Sequence, residues 1–263
     1  MKYASKMLAM LCVSLLVAAT AQAGLISHFG MNEGSGTTTA DAVSGNDSAT
    51  FTSSPAPAWS TDGANGSSHS IDFSGSGGIL TVDGTTPTDY VKTGSAFTID
   101  FYMKSSEALS GNDFQSLAYL ESDNTTVFGG VAVDDFVIAL SSMSAYQGIA
   151  FGARAGHAFV PLHTSGVTTG DLTDGQWHNI VITYNGSGSL TAGNFALSID
   201  GNSKTLVGAG NFQMADGTRF GGQAVSTFVY GGKLDEFKIT PEPATMSLLG
   251  IGGLLALVRR RRK

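Results

Sequence analysis

Asp235 is the acid whose sequence neighbours most restrict its chemistry. Counting by twos along the predicted strand at 233–239 puts its side chain on the face of Phe237 and Ile239. Glu236 then faces the other way. The apolar face should meet the core, and a carboxylate buried there without a partner is costly. The sequence therefore predicts a partner for Asp235.

Two kinds of partner suit this carboxylate. Calcium prefers oxygen ligands, and Asp41 and Asn46, in loops rich in such groups, are the candidate co-ligands. The alternative is a set of backbone N–H groups, which stabilise a carboxylate without any metal. A chelator should lower the melting temperature only if calcium is the partner.

The two tryptophans could stack on sugar rings, since an aromatic face packs against the apolar face of a pyranose. Trp177 starts an apolar segment and is predicted to lie in the core, followed by His178 as a structural strand residue. Trp59 lies in a loop with the sequence Pro-Ala-Pro-Ala before it. Trp59 is therefore the candidate ligand-binding aromatic.

Glu121 and Asp123 are two residues apart and would share one face of a strand. Paired carboxylates supply the nucleophile and the acid/base of glycoside hydrolysis. The sequence contains no H-E-x-x-H, G-x-S-x-G or P-loop pattern. This acid pair is thus the candidate to weigh for catalysis.

Short alternating segments must position these residues. Phe97, Ile99, Phe101 and Met103 share one face of a predicted strand, and clusters of Gly, Asn, Asp and Ser separate more than ten such segments. Glycine is frequent, at 35 of 263 residues, and charged residues make up only 13%. The pattern predicts one all-β domain, an antiparallel sandwich over 24–240.

Charge is unevenly distributed along the chain. The formal net charge is −7, but residues 24–240 hold seven basic and twenty acidic residues, a net −13. Such a domain would repel phosphate, which excludes a nucleic-acid partner.

The N-terminus predicts a secretory signal peptide over 1–23. Lys2 and Lys6 precede the apolar stretch 7–19, and Ala21-Gln22-Ala23 forms an A-x-A cleavage site. The alternative is a buried first helix. Cleavage would remove Cys12, the only cysteine, so disulfides and cysteine chemistry are excluded for the mature protein.

The C-terminus combines three features in a fixed order. Pro241-Glu242-Pro243 precedes an apolar stretch at 244–258, and the basic end follows. Its basic residues are Arg259, Arg260, Arg261, Arg262 and Lys263. The apolar helix would be about 22 Å long, short of a hydrocarbon core of about 30 Å. With the basic end held in the cytoplasm, the tail should contact the inner membrane transiently; the alternative is an ordinary short membrane anchor.

These three features resemble the PEP-CTERM sorting signal of Gram-negative bacteria, over 241–263. The resemblance implies that an exosortase, a membrane protease, processes the tail near Pro-Glu-Pro. It also implies an exported protein, located at the cell surface or outside the cell and associated with exopolysaccharide and biofilm.

The domain resembles LamG-like (concanavalin A-like) jelly rolls in seven ordered motifs that cover nearly all of 25–239. They include residues 25–36, 97–101, 174–184 and 232–239. The resemblance implies a jelly-roll sandwich in which structural calcium occurs. Laminarinase-type glycosidases share this fold and use Glu-x-Asp-x-Glu or Glu-x-Asp-x-x-Glu, but Thr125 and Thr126 occupy the places of the third acid here.

The sequence therefore favours a non-catalytic exported protein that binds glycan or a surface protein. The alternatives are a divergent polysaccharide hydrolase or lyase, and a structural matrix component without a defined ligand. A complete acid triad on one concave face would favour catalysis, an exposed aromatic on that face would favour binding, and the absence of both would favour the matrix role.

Overall fold

The computed structural model describes the central part of the chain in fourteen segments. These are residues 27–43, 48–51, 56–74, 79–83, 96–109, 113–120, 127–128, 131–132, 136–155, 158–159, 161–186, 192–208, 219–221 and 230–241. Within them, no helix has the length and apolar composition needed to cross a membrane. The signal peptide, Asn46, the Glu121/Asp123 pair and the tail beyond Pro241, with its predicted apolar helix, lie outside the described residues.

Nearly all regular structure in these segments is β-strand, and two short 3-10 turns lie at Thr169–Asp171 and Ala192–Asn194. The strands are β1 Ser27–Phe29, β2 Thr38–Ala40, β3 Ser48–Phe51, β4 Ala58–Ser60, β5 Ser70–Asp72, β6 Ile79–Asp83, β7 Phe97–Lys104, β8 Phe114–Leu120, β9 Val127–Phe128, β10 Val131–Ala132, β11 Phe136–Ser141, β12 Gly148–Ala155, β13 Ala158–Phe159, β14 Leu162–Thr164, β15 Trp177–Tyr184, β16 Phe195–Ile199, β17 Asn202–Lys204, β18 Leu206–Val207, β19 Arg219–Gly221 and β20 Lys233–Pro241.

Two large antiparallel sheets form the sandwich. The first has the order β17-β16-β15-β7-β20-β5-β4, with β1 also paired to β20. The second has the order β18-β14-β12-β11-β8-β19-β6-β3-β2, with β13 paired to β12. Neighbours in space are often distant in sequence, as in a jelly roll. The predicted all-β antiparallel sandwich is confirmed.

The core lies between the inward faces of the two sheets. β7 alternates strictly between buried and half-buried residues, as the sequence pattern predicted, and β15 alternates in the same way. Phe195 of the first sheet packs on Phe151 of the second, with ring centroids 5.3 Å apart. Phe101 stacks on Phe237 at 5.4 Å within the first sheet. The opposite, half-buried side of the first sheet is called the outer face below.

A bulge interrupts β20 at Glu236. Asp235 pairs with Tyr102 and Lys238 pairs with Asp100, so two residues of β20 lie opposite Phe101 alone. Glu236 has a φ of 53°, the left-handed conformation of a bulge. This extra residue reverses the alternation of the strand, which matters for Asp235.

Candidate functional site

A pocket of about 320 Å³ opens at one end of the sandwich, where the first sheet reaches its β17 edge. Buried apolar side chains form part of its lining, and polar side chains form the rest. The lining residues are Gly166, Val167, Asp171, Leu172, His178, Ile199, Asp200, Asn202 and Lys204. We call this cavity the end pocket.

A tight hairpin turn builds one wall of the end pocket. Ile199 pairs with Asn202, so Asp200 and Gly201 alone connect β16 to β17. Their φ values are 53° and 74°. Two consecutive positive φ values are typical of the type I′ turn, which Asp-Gly sequences favour. The turn thereby presents the Asp200 carboxylate beside the start of β15.

His178 lies between two carboxylates at this wall. Its Nδ1 is 2.8 Å from Asp200 Oδ2, and its Nε2 is 3.1 Å from Asp174 Oδ1. Only an imidazolium donates from both ring nitrogens. Burial opposes that charge, but the hydrogen bonds to Asp200 and Asp174 outweigh it and raise the pKa of His178. The imidazolium therefore ties the hairpin turn to the loop before β15.

Three wall residues keep hydrogen-bonding capacity for a ligand. Asp171 Oδ2 accepts from the Thr168 N–H and hydroxyl, which lowers the pKa of Asp171, while no described residue contacts its Oδ1 by a hydrogen bond. Asn202 uses its amide N–H on the Asp200 carbonyl, which leaves its side-chain oxygen available within the described structure. Lys204 is half-buried at the end of β17. The pocket thus offers acceptors and one ammonium donor over an apolar base.

A second polar cluster lies on the outer face. Residues 61–69, called the strap below, connect β4 to β5 and lie over this face. Asp62 Oδ2 is 2.7 Å from the Lys233 ammonium and 2.9 Å from that of Lys104, and Asp62 Oδ1 accepts from the Trp177 indole N–H at 3.1 Å. The hydrogen bond from Lys233 does most to hold the pKa of Asp62 well below its usual range, against a smaller opposing effect of burial.

Asp235 fastens the same strap at a second point. Its carboxylate is fully buried, with Oδ2 accepting from the Ala64 N–H at 2.7 Å and Oδ1 from the Glu236 N–H at 2.8 Å. Burial raises the pKa of Asp235 to about 6. Hydrogen bonds with the Ala64 N–H, the Ser67 side chain and the Glu236 N–H oppose this rise. Two of these three partners are backbone N–H groups, the predicted alternative to calcium.

The predicted face of Asp235 is wrong, although its burial is correct. Residues paired across an antiparallel ladder share a face, and Asp235 pairs with Tyr102, which alternates with the buried Phe101 and Met103. Asp235 therefore points to the outer face and is buried by the strap. Counting by twos from Phe237 fails because it passes through the bulge.

The other predicted calcium ligands lie apart from these contacts. Asp41 is buried, and its Oδ1 accepts from the N–H groups of His28 and Val43. Its Oδ2 is buried, and none of the described residues forms a hydrogen bond with it. Within the described segments, no group of three or more His, Cys, Asp or Glu side chains could hold a metal ion. Since Asn46 is outside those segments, calcium at Asp235, Asp41 and Asn46 stays a prediction.

The structure reverses the expected positions of the two tryptophans. Trp59 lies in β4 rather than in a loop, packs on Phe51 at 5.5 Å and donates its indole N–H to the Gly36 carbonyl. Trp177 lies on the outer face rather than in the core, with the Lys104 ammonium 5.9 Å from its ring centroid. Both rings are half-buried, so neither is a freely exposed stacking platform.

A third cluster surrounds the bulge. Glu236 Oε2 is 2.8 Å from His28 Nε2 and 2.7 Å from the Lys238 ammonium. Burial opposes the charge of Glu236, but hydrogen bonds from Lys238 and His28 lower its pKa. The cluster stabilises a strained backbone position, and its groups are occupied by one another.

The end pocket was missed by the sequence analysis, which interpreted His178 as structural without naming its partners. The signal is present in the hairpin. If β15 pairs with β16 from Tyr184 and Phe195 outward, Asp200 must lie opposite Asn179 and beside His178. Asp-Gly at that point marks the turn.

Comparisons with known proteins divide the chain in two. Residues 240–263 match the family described as the PEP-CTERM protein-sorting motif. A tail of this family implies export and processing by an exosortase. No curated protein matches the chain in sequence.

Solved structures resemble the domain in fold alone. Domain 4 of AbnA, a GH43 extracellular arabinanase from Geobacillus stearothermophilus solved in complex with arabinotriose, is 14% identical with a TM-score of 0.53, and the match covers 82% of this chain and 92% of that one. The receptor binding domain of botulinum neurotoxin D is 13% identical with a TM-score of 0.51, covering 89% of this chain and 54% of that one. A Trypanosoma rangeli sialidase matches at 14% identity and a TM-score of 0.47, covering 84% of this chain.

The chain thus spans about half of the toxin structure and 31% of the sialidase. Its likeness to the arabinanase domain extends over nearly that whole domain, which agrees with a sandwich of jelly-roll type. The chain is an antiparallel β-sandwich that ends in a PEP-CTERM sorting motif.

Proposed function

We propose that this protein is a non-catalytic component of the cell surface or extracellular matrix that binds glycan through the end pocket. The observation that carries the proposal is the composition of that pocket. Its volume of about 320 Å³ lies within the range of small-ligand sites. Acceptor oxygens and an ammonium around an apolar base suit a sugar ring, which presents hydroxyls at its edge and C–H groups on its faces.

The fold supports a glycan ligand. The arabinanase domain that resembles this sandwich was solved with arabinotriose bound, so a sandwich of this shape can hold an oligosaccharide. The likeness is of fold, and the pocket residues of this chain are its own.

The tail supports the location. An exosortase-type membrane protease would process it near Pro241, Glu242 and Pro243 after transient contact with the inner membrane. The released domain would then act in exopolysaccharide at the cell surface or outside the cell. Mass spectrometry of the protein released by its host should find a C-terminus near 240–244. A mature protein that mostly keeps Arg262 and Lys263 would instead indicate a lasting anchor.

The pocket carboxylates support binding rather than hydrolysis. A general acid needs a raised pKa, whereas the N–H of Gln176 and that of Thr168 lower the pKa of Asp174 and Asp171 respectively. Asp200 and Asp174 are both held by His178. Assays for reducing ends on laminarin, agar, carrageenan and host exopolysaccharide should therefore show no turnover. Turnover abolished by Glu121→Gln would establish the hydrolase alternative.

A glycan array with the full-length protein in mild detergent tests the binding. The double variant Asn202→Ala/Lys204→Ala should lose at least about fivefold in affinity for the retained glycan, because two pocket hydrogen bonds are worth about 1–3 kcal/mol. Ser203→Ala is the matched control, since Ser203 is on the same strand but outside the pocket. Retention unaffected by the double variant, or no retained glycan at all, would contradict the proposal in favour of a protein partner or a structural matrix role.

A further inference from the structure

The charges of the end pocket restrict the class of glycan that it can bind. We propose that the pocket selects uncharged sugar residues and discriminates against uronates and other anionic sugars. This inference rests on the proposed function, because it concerns the ligand of the same pocket. Its physical basis is the balance of charge at the wall and over the whole domain.

Carboxylates outnumber cations at the pocket wall. Asp171 and Asp200 line the cavity directly, and Asp174 lies behind His178 at 3.1 Å. The cations are Lys204 and the imidazolium of His178. The count of three negative and two positive groups leaves a net negative wall, even with His178 fully protonated.

The charge of His178 is not available to a ligand. Both of its ring nitrogens are engaged, one with Asp200 and one with Asp174. Its positive charge is therefore neutralised by two carboxylates of the protein. Lys204 is the one cation on the described wall that a ligand could reach, and the Asp171 carboxylate lies near enough for Lys204 to lower its pKa.

A sugar carboxylate in the cavity would therefore meet Lys204 together with Asp171 and Asp200. Like charges placed together in an interface are strongly unfavourable. A neutral sugar hydroxyl, in contrast, can donate to Asp171 Oδ1 or to the Asn202 side-chain oxygen and accept from the Lys204 ammonium. The wall thus has the donor and acceptor pattern of a hydroxyl pair rather than that of a carboxylate clamp.

The charge of the whole domain acts in the same direction. Residues 24–240 carry a net −13, so the domain repels polyanions at distances up to the Debye length of about 8 Å at physiological ionic strength. A polyuronate would be disfavoured both on approach and in the pocket. An uncharged polysaccharide would meet neither barrier.

Matched polysaccharide pairs test this selectivity with the full-length protein. Polygalacturonate and alginate are each compared with their carboxyl-reduced forms, which keep the linkages but lose the charge. We expect the carboxyl-reduced member of a pair to bind about tenfold or more tightly than its uronate at 0.15 M salt. Raising the salt to 0.5 M should strengthen residual uronate binding and leave binding of the neutral member unchanged.

Asp171→Asn should reduce the ratio of the affinity for the neutral polysaccharide to the affinity for its uronate. The variant removes one negative charge from the wall, while its side-chain oxygen can still accept from the Thr168 N–H. Asp72→Asn is the control: it removes the same charge from the domain, but Asp72 lies in β5, outside the pocket. An unchanged preference in Asp171→Asn, or an equal change in Asp72→Asn, would overturn the role of the wall.

The outcomes separate this inference from the function on which it rests. Uronates bound as tightly as their reduced forms, with binding lost in Lys204→Gln, would overturn the selectivity and leave glycan binding in place. A failure of both members of every pair, together with an empty glycan array, would overturn both.

Discussion

The strap and the end pocket are built from the same kinds of groups in inverse arrangements. At the strap, one carboxylate, Asp62, collects two ammonium groups and an indole N–H. At the end pocket, one imidazole, His178, collects two carboxylates. The first arrangement closes loop 61–69 over a sheet. The second holds a hairpin turn beside an open cavity that Asp171, Asn202 and Lys204 also line.

The difference shows that a charge cluster can either use up its hydrogen-bonding groups within the protein or leave some of them available to a ligand. Asp62 and Asp235 are saturated from within the protein, so the outer face beneath the strap has little capacity left for a ligand. The end pocket keeps spare capacity at Asp171, Asn202 and Lys204. Judged only by its number of polar side chains, the outer face would be the better candidate for a binding site. Judged by which of those side chains already have hydrogen-bond partners within the protein, the end pocket is the better candidate.

Removing the buried Asp235 carboxylate, which holds the strap, should have the largest effect on stability. Asp235→Ala leaves the N–H groups of Ala64 and Glu236 without their acceptor in a buried place. The free energy of unfolding should fall by about 1–3 kcal/mol, measured by chemical denaturation of residues 24–240.

Circular dichroism of the unmodified domain should show β structure with or without reductant, and a helical spectrum would contradict the fold.

A chelator sharpens the same experiment. If hydrogen bonds from the protein are the only partners of the Asp235 carboxylate, chelation leaves the melting temperature unchanged. A fall in melting temperature on chelation that disappears in Asp235→Ala would show calcium at this carboxylate. Unchanged stability in Asp235→Ala would show that the strap does not bury the side chain.

Removing the more exposed Asp62 carboxylate should lower the free energy of unfolding by less. Asp62→Ala should lower the free energy of unfolding by about 1 kcal/mol, since the Asp62 side chain is 38% exposed and solvent screens its ion pairs. Asp62 has a lowered pKa, so its contribution is present above its ordinary value of 3.8 and is lost as the pH falls below it. Asp72→Ala on the same sheet is the control and should stay within about 0.5 kcal/mol.

The pocket cluster should show the opposite dependence on pH, with the smallest effect. A raised pKa means that the His178 contribution is complete below its ordinary value of 6.5 and is lost as the pH rises through the folded value. The unfolding free energy, measured from pH 5.5 to 9, should therefore decline with a component that His178→Gln removes. His163→Gln, a half-buried histidine elsewhere, should retain that component; identical pH profiles for the wild type and His178→Gln would contradict the imidazolium assignment.

The fold could be predicted from the sequence because its signal is local. The alternation of Phe97, Ile99, Phe101 and Met103 specifies which face of β7 is buried, and the structure agrees. The sorting motif of the tail is equally local, since order and composition define it.

The site was predicted poorly because it depends on positions that alternation does not encode. One left-handed residue at Glu236 moved Asp235 to the other side of the sheet. Neither Trp59 nor Trp177 lies where it was expected, because strand pairing places Trp59 in β4 against Phe51 and Trp177 on the outer face of β15. The partners of His178 come from a loop and a hairpin turn, and become apparent only when strand register is counted.

The end of β20 lies directly beside the sorting motif. Pro241 is at once the last residue of that strand, opposite Phe97, and the first residue of the Pro-Glu-Pro motif. Two residues span at most about 7 Å, so any bond cleaved within the motif is that close along the chain to the end of β20, an interior strand between β7 and β5. The folded domain therefore limits the access of any protease to the motif. We therefore expect such a protease to need clearance beside the folded domain as well as recognition of the motif.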